Sequence, residues 1–120
     1  MLDDFTPVDT VAELGITDLV VGTGADASAA DTVTCHYTGA LAKTGTVFQS
    51  SHDFGRPISF PLNGVIQGWT EGVPGMKVGG KRRLLIPAAK AYGSRPPFGS
   101  GIPADADLVF DIELMGIDGK

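Results

Sequence analysis

The chain has 120 residues, one cysteine and a formal net charge of −5, with 42% hydrophobic and 19% charged residues. That is one domain with enough apolar surface for its own core, and a lone thiol excludes an intrachain disulfide. An acidic balance carries no electrostatic footprint for nucleic acid, and no apolar run approaches the ~20 residues that span a bilayer.

The opening segment, Met1 to Pro7, has neither the basic start nor the apolar run of a secretory leader. The chain as given is therefore expected in the cytoplasm, alone or as a domain of a longer tethered or exported protein. Residues 1–14 read as an extended, partly ordered arm and residues 15–120 as the folded domain. Ile16 to Val21 is a short apolar strand closed by Gly22-Thr23-Gly24, and the small polar run Ala25 to Ala30 is a loop. From Thr32 to Leu41 the residues alternate, with Val33, Cys35 and Tyr37 on one face and Thr34 and His36 on the other. Lys43-Thr44-Gly45 turns the chain, Val47-Phe48 starts a return strand, and Pro57 to Leu62 is another.

Asn63-Gly64 opens the one convincing helix, in which Val65, Trp69 and Val73 make a single stripe before Pro74-Gly75 ends it. Lys81 to Ile86 is a strand. Its neighbourhood, Lys77 to Arg83, is the densest basic run and reads as a solvated face balanced by carboxylates, with a patch for an acidic partner as the alternative. A turn of helix follows around Ala88 to Tyr92, then a Pro- and Gly-rich loop from Ser94 to Ala106. Asp107 to Leu114 alternates again, with Leu108, Phe110, Ile112 and Leu114 on one face. About five strands and one central helix make an α+β domain, its antiparallel sheet covering the helix with its apolar side. The seventeen glycines and eight prolines are dispersed as turn punctuation rather than gathered in a low-complexity tract.

Most catalytic chemistries find no support in this pattern. Cys35 and His36 are strand neighbours, so their side chains leave opposite faces and cannot act as nucleophile and base; Cys35 reads as a small core residue. One cysteine and two histidines, His36 and His52, do not give zinc-ligand spacing, and no metal or cofactor is expected. Gly22-Thr23-Gly24-Ala25-Asp26-Ala27 begins like a dinucleotide loop but lacks the last glycine and a following helix. What remains is a set of aromatic residues around one tryptophan.

Those aromatics come in a set order. Cys35-His36-Tyr37-Thr38-Gly39 is followed by Val47-Phe48-Gln49-Ser50-Ser51 and Val65-Ile66-Gln67-Gly68-Trp69. Ala91-Tyr92-Gly93, Gly101-Ile102-Pro103 and Leu108-Val109-Phe110-Asp111 complete the series. From about Asp18 to Ile117 the chain resembles the FKBP-type peptidyl-prolyl cis-trans isomerases. The resemblance implies a curved antiparallel sheet of about five strands wrapped around one short helix, with a pocket between them. It implies Trp69 as the pocket floor, Tyr37, Phe48 and Phe110 as walls, and Tyr92 as a hydroxyl donor to a ligand carbonyl. Val65 and Ile66 match the rim, where the Ile66 amide would bond the ligand, and Ile102 matches an apolar residue on the long loop.

The chain departs from the family pattern at several places. Gln49 stands where aspartate is usual, Phe54 about where its arginine partner would be, and Ile58 where phenylalanine is frequent. Phe98, at the tip of the long loop, is a candidate cap for the pocket. The implied activity is isomerisation of Xaa-Pro bonds in proline-containing peptides and folding proteins by a monomer, with reduced affinity for rapamycin and tacrolimus. The competing readings are a proline-peptide-binding or chaperone module with weak catalysis, for which Gln49 is the best support, and a purely structural interaction domain. An exchange assay on a short Xaa-Pro peptide separates the first two.

Overall fold

The structure is a computed structural model that describes Leu2 and residues 4–120. Its strands are β1 (Gly15–Val20), β2 (Thr32–Leu41), β3 (Val47–Ser50), β4 (Ile58–Pro61), β5 (Lys81–Ile86) and β6 (Leu108–Ile117), with one α-helix, α1 (Gln67–Gly72), between β4 and β5. The strands form one antiparallel sheet in the order β1-β5-β6-β2-β3, with β4 also paired to β2. The sheet thus has six strands where about five are legible in the sequence.

The two short strands share one edge of β2. β4 pairs with Thr32 to Cys35 and β3 with Thr38 to Ala40. Between them the chain makes a 3₁₀ turn, Ser51–Phe54, capped by the Ser50 hydroxyl and closed by Gly55 at φ 71°.

The alternation in β2 places Val33, Cys35 and Tyr37 in the core, as expected, beside Leu84, Ile86, Leu108, Ile112 and Leu114 from β5 and β6. Helix α1 lies against this inner face. It is shorter than the stripe suggests: Ile66 is its N-cap, Val73 its C-cap, and Val65 lies outside it. The sheet-facing positions of α1 include Gly68 and Gly72. A Cβ at Gly68 would meet the Ile86 side chain at 2.5 Å, and one at Gly72 would meet Leu84 at 2.8 Å. The missing side chains let the helix backbone approach β5 directly.

Arg82, on the inner face of β5, fastens the far end of α1. Its Nη1 donates to the carbonyls of Gly72 (2.8 Å) and Pro74 (3.2 Å), while Nε donates to Asp18 Oδ1 at 2.6 Å. A cation at a helix C-terminus satisfies carbonyls that the helix cannot.

The basic run is therefore not a solvated face throughout. The Arg82 and Arg83 side chains are only 11% and 14% exposed, each paired with an aspartate, Asp18 and Asp111. Cross-strand register explains the pairing, since Asp18 stands opposite Arg82 and Asp111 opposite Arg83. Lys77 behaves as expected, in an exposed pair with Asp26.

The outer face of β6 is covered too. Val109 and Asp111 are buried together with the Leu108 face. Leu2 packs with Val109 and Ala40, and Phe5 joins them. The Leu2 amide donates to Gly45 O at 2.8 Å and the Val8 amide to Ala42 O at 2.9 Å. Arg83 donates to Asp4 O at 2.8 Å and lies 5.5 Å from the centre of the Phe5 ring.

The close approach of α1 is directly testable. Alanine at position 68 gains helix propensity of up to about 1 kcal/mol, but overpacking against Ile86 costs about 1–3 kcal/mol. Gly68→Ala is expected to lower the unfolding free energy by about 1–2 kcal/mol in urea titration. A variant as stable as the parent would mean that Ile86 yields without cost.

Candidate active site

The inner-face residues not covered by α1 leave a cavity of about 480 Å³. Its walls come from four strands. β2 supplies Tyr37, β3 Phe48 and Gln49, β4 Phe60 and β6 Phe110, while Trp69 projects from α1 and Tyr92 from the loop after β5. Val65, Ile66 and Gly64 form the border leading into the helix.

Trp69 is the centre of the arrangement. It is 3% exposed, and three rings stand edge-on to it: Phe60 at 5.2 Å, Phe110 at 5.5 Å and Tyr37 at 5.6 Å between centroids. Edge-to-face contact sets the positive ring edge against a negative ring face. The Phe48 ring meets Phe110 the same way at 5.8 Å. Gly39 makes that contact possible, because a Cβ there would fall 2.7 Å from both rings. Among the described residues the buried indole Nε1 has no hydrogen-bond partner.

Tyr37 sits where β2 has lost its edge partner, between β4 and β3. There Ser51 replaces a strand. Its Oγ accepts the Tyr37 amide at 2.8 Å and lies 3.3 Å from the Tyr37 carbonyl, within reach of donating to it. His36 Nδ1 also meets Ser51 Oγ, at 2.9 Å, and the His36 and His52 rings stack at 4.3 Å on the far side of the sheet from the cavity. Ser51 is fully buried. A wall residue is thus held at its backbone by a hydroxyl that period-two reasoning passes over.

Of the residues marked in the sequence, Tyr37, Phe48, Gln49, Val65, Ile66, Trp69, Tyr92 and Phe110 are brought to one cavity. Three are not. Phe98 is fully exposed and does not cap the opening. Ile102 is buried in the core cluster, and Ile58 packs on that cluster half-buried; neither lines the cavity. On β4 the ring comes from Phe60, two residues after Ile58 and on the same face. Strand alternation was the signal that could have found it.

The electrostatics are quiet. Burial raises the Tyr92 phenol above its ordinary 10, and it raises Tyr37 likewise, with Tyr92 adding to the effect. Both hydroxyls are therefore protonated donors at neutral pH. The Cys35 thiol is pushed up to about 12 by burial, so it is not a nucleophile.

The FKBP-type peptidyl-prolyl cis-trans isomerase family model matches residues 24–115. A probable FK506-binding protein of Corynebacterium glutamicum is 51% identical over 86% of each chain. The chain belongs to the FKBP family. An FK506-binding protein of Streptomyces anulatus is 42% identical, over 95% of this chain and 94% of its own. The crystal structure of AtFKBP13 superposes with a TM-score of 0.78 at 39% identity, over 89% of this chain and 94% of that one. The chain corresponds to only part of some larger members. It covers 47% of Escherichia coli FkpA, with a TM-score of 0.79, and 35% of Aeromonas hydrophila FkpA, which is 54% identical and named an isomerase. The chain's activity is that of an FKBP-type isomerase, and the names of these relatives do not favour the weakly catalytic binding module.

Removing the Ser51 hydroxyl leaves the buried Tyr37 amide without its acceptor. Ser51→Ala is expected to cost about 1–3 kcal/mol in chemical unfolding, with a fall in isomerase activity as Tyr37 loosens. Unchanged stability and rate would show that β2 holds Tyr37 unaided.

Proposed function

We propose that the cavity receives the prolyl ring of an Xaa-Pro bond on Trp69, between Tyr37, Phe48, Phe60 and Phe110. The observation that carries this reading is the cavity itself: ring-lined, about 480 Å³ in volume, with protonated phenols at its edge. Rotation about the imide must overcome ~18–20 kcal/mol, because it breaks amide resonance, and takes tens to hundreds of seconds unaided. Twisting makes the carbonyl less polar, so an apolar enclosure disfavours the planar ground state relative to the twisted one. That is selective binding of the transition state with no proton transfer or covalent step.

Two donors orient the bound peptide in this reading. The Tyr92 hydroxyl bonds a peptide carbonyl, and the Ile66 amide bonds a second. As the N-cap of α1, Ile66 has an N–H that no carbonyl within the helix can reach. Folding proteins with exposed Xaa-Pro segments are the substrates.

Gln49 and Phe54 bear on macrolide ligands. Gln49 lines the cavity, while the Phe54 side chain is 54% exposed on the 3₁₀ turn after β3. An amide offers hydrogen bonds without charge, so affinity for FK506-type macrolides is weak while peptide turnover persists.

In exchange NMR on a short Xaa-Pro peptide, Tyr92→Phe is expected to lower kcat/KM by up to about tenfold, the worth of one net hydrogen bond. Because both phenols titrate above their ordinary value, the wild-type rate should be flat from about pH 7 to about pH 9 and fall only at higher pH, as phenolate forms. A wild-type rate in folded Tyr92→Phe removes the hydroxyl from the mechanism, while a steep fall by about pH 9 would contradict the raised phenols.

Calorimetry with rapamycin tests the charge argument. Gln49→Asp alone should recover little affinity, since it sets a carboxylate beside apolar rings without a partner. Gln49→Asp with Phe54→Arg should recover more, and the cycle gives their coupling. Tight binding by the wild type, indifferent to both changes, overturns this account.

A further inference from the structure

Asp107 ends the long loop just before β6. Its carboxylate joins two segments that are far apart in the chain. Oδ1 accepts the Ala88 amide at 2.9 Å and Oδ2 accepts the Val11 amide at 2.8 Å. Its own carbonyl accepts the Ala42 amide at 3.0 Å. One residue therefore binds the N-terminal arm, the end of β2 and the 3₁₀ turn Ala88–Lys90.

That turn leads straight to Tyr92. The Ala88 carbonyl accepts the amides of Ala91 (3.0 Å) and Gly93 (2.9 Å), the residues on either side of Tyr92. The Gly93 carbonyl then accepts the Asp105 amide at 2.8 Å, which returns the chain to within two residues of Asp107. Tyr92 is held inside this closed circuit. Gly93 turns the chain there at φ 55°, a left-handed backbone open to glycine.

We propose that Asp107 is a positioning residue for isomerisation: through Ala88 it sets the Tyr92 hydroxyl at the rim of the cavity. The Val11 amide holds the second carboxylate oxygen, so the N-terminal arm takes part in placing Tyr92 although it lies outside the cavity. The arm's other contacts keep Val11 in place, from Leu2 on Gly45 O and Val8 on Ala42 O. This inference rests on the proposed contact between Tyr92 and substrate.

The test is a set of double-mutant cycles read as kcat/KM by exchange NMR on an Xaa-Pro peptide, with full-length protein. Asp107→Ala removes both bonds, while Asp107→Asn retains one acceptor oxygen. Ala88→Pro removes only the Ala88 donor; proline suits the first position of such a turn, and Pro87 before it already has the extended ψ of 151° that a following proline requires. Val11→Pro removes only the donor from the arm.

With Tyr92 present, Asp107→Ala and Ala88→Pro should lower kcat/KM about three- to tenfold, and Asp107→Asn and Val11→Pro by less. In the Tyr92→Phe background the same changes should have almost no further effect, because the group they position is gone. Equal losses in both backgrounds, or no loss with Tyr92 present, overturn the inference alone. A silent Tyr92→Phe overturns the reading of the site and the inference with it. Should Asp107→Ala fail to fold, Asp107→Asn and Ala88→Pro complete the same cycles.

Discussion

The six residues of α1 make too short a helix to persist in water by their own hydrogen bonds. The pocket floor nevertheless depends on it, because Trp69 stands on this helix. What holds it is external. Arg82 takes the carbonyls of Gly72 and Pro74, and its charge is balanced by Asp18 on β1. Gly68 and Gly72 let the backbone settle onto Ile86 and Leu84. Thr70 anchors the first turn by donating from its hydroxyl to Leu62 O. Without these contacts Trp69 would have no fixed position, and Phe60, Phe110 and Tyr37 would lose the ring they share.

The walls are rigid for a different reason. Tyr37, Phe48, Phe60 and Phe110 come from four strands of one hydrogen-bonded sheet, and each points inward by the same alternation. β2 is the common neighbour of β3, β4 and β6, so three walls are placed relative to one strand. Its single gap, at Tyr37, is closed by Ser51 rather than by backbone. The hydrogen-bond donor Tyr92, by contrast, sits in the loop region between β5 and β6, where its placement depends on the circuit through Ala88, Gly93 and Asp105. Strands fix the shape of the site, and the loop adds a donor that can be tuned without disturbing that shape.

This division suits a reaction that moves no proton. The thiol is buried and protonated, the phenols keep their protons, and the paired arginines lie outside the cavity lining. Enclosure and ring packing are what the fold brings to bear on the imide. Both are properties of shape.

Period-two patterning alone determined which faces of β2 and β6 turn inward, and hence that Tyr37 and Phe110 share a side with Cys35 and Leu108. That inward direction is a local property: a strand fixes the direction of its side chains whatever it pairs with. Trp69, Phe48 and Tyr92 were grouped only by the resemblance of the ordered aromatic segments to the family. The sequence could not show what depends on non-local approach. Alternation puts Ile58 and Phe60 on one face, but which of the two lines the cavity follows from where β4 meets β2 and Trp69. The exposure of Phe98 follows from a loop that turns its tip to solvent. The burial of Val109 and of Arg83 follows from the arm lying across the outer face, which no periodicity in residues 1–14 reveals. Ser51 and Asp107 are the clearest cases. Each is an ordinary polar residue in sequence, and its importance arises only when the tertiary fold brings unpaired backbone amides to its oxygens.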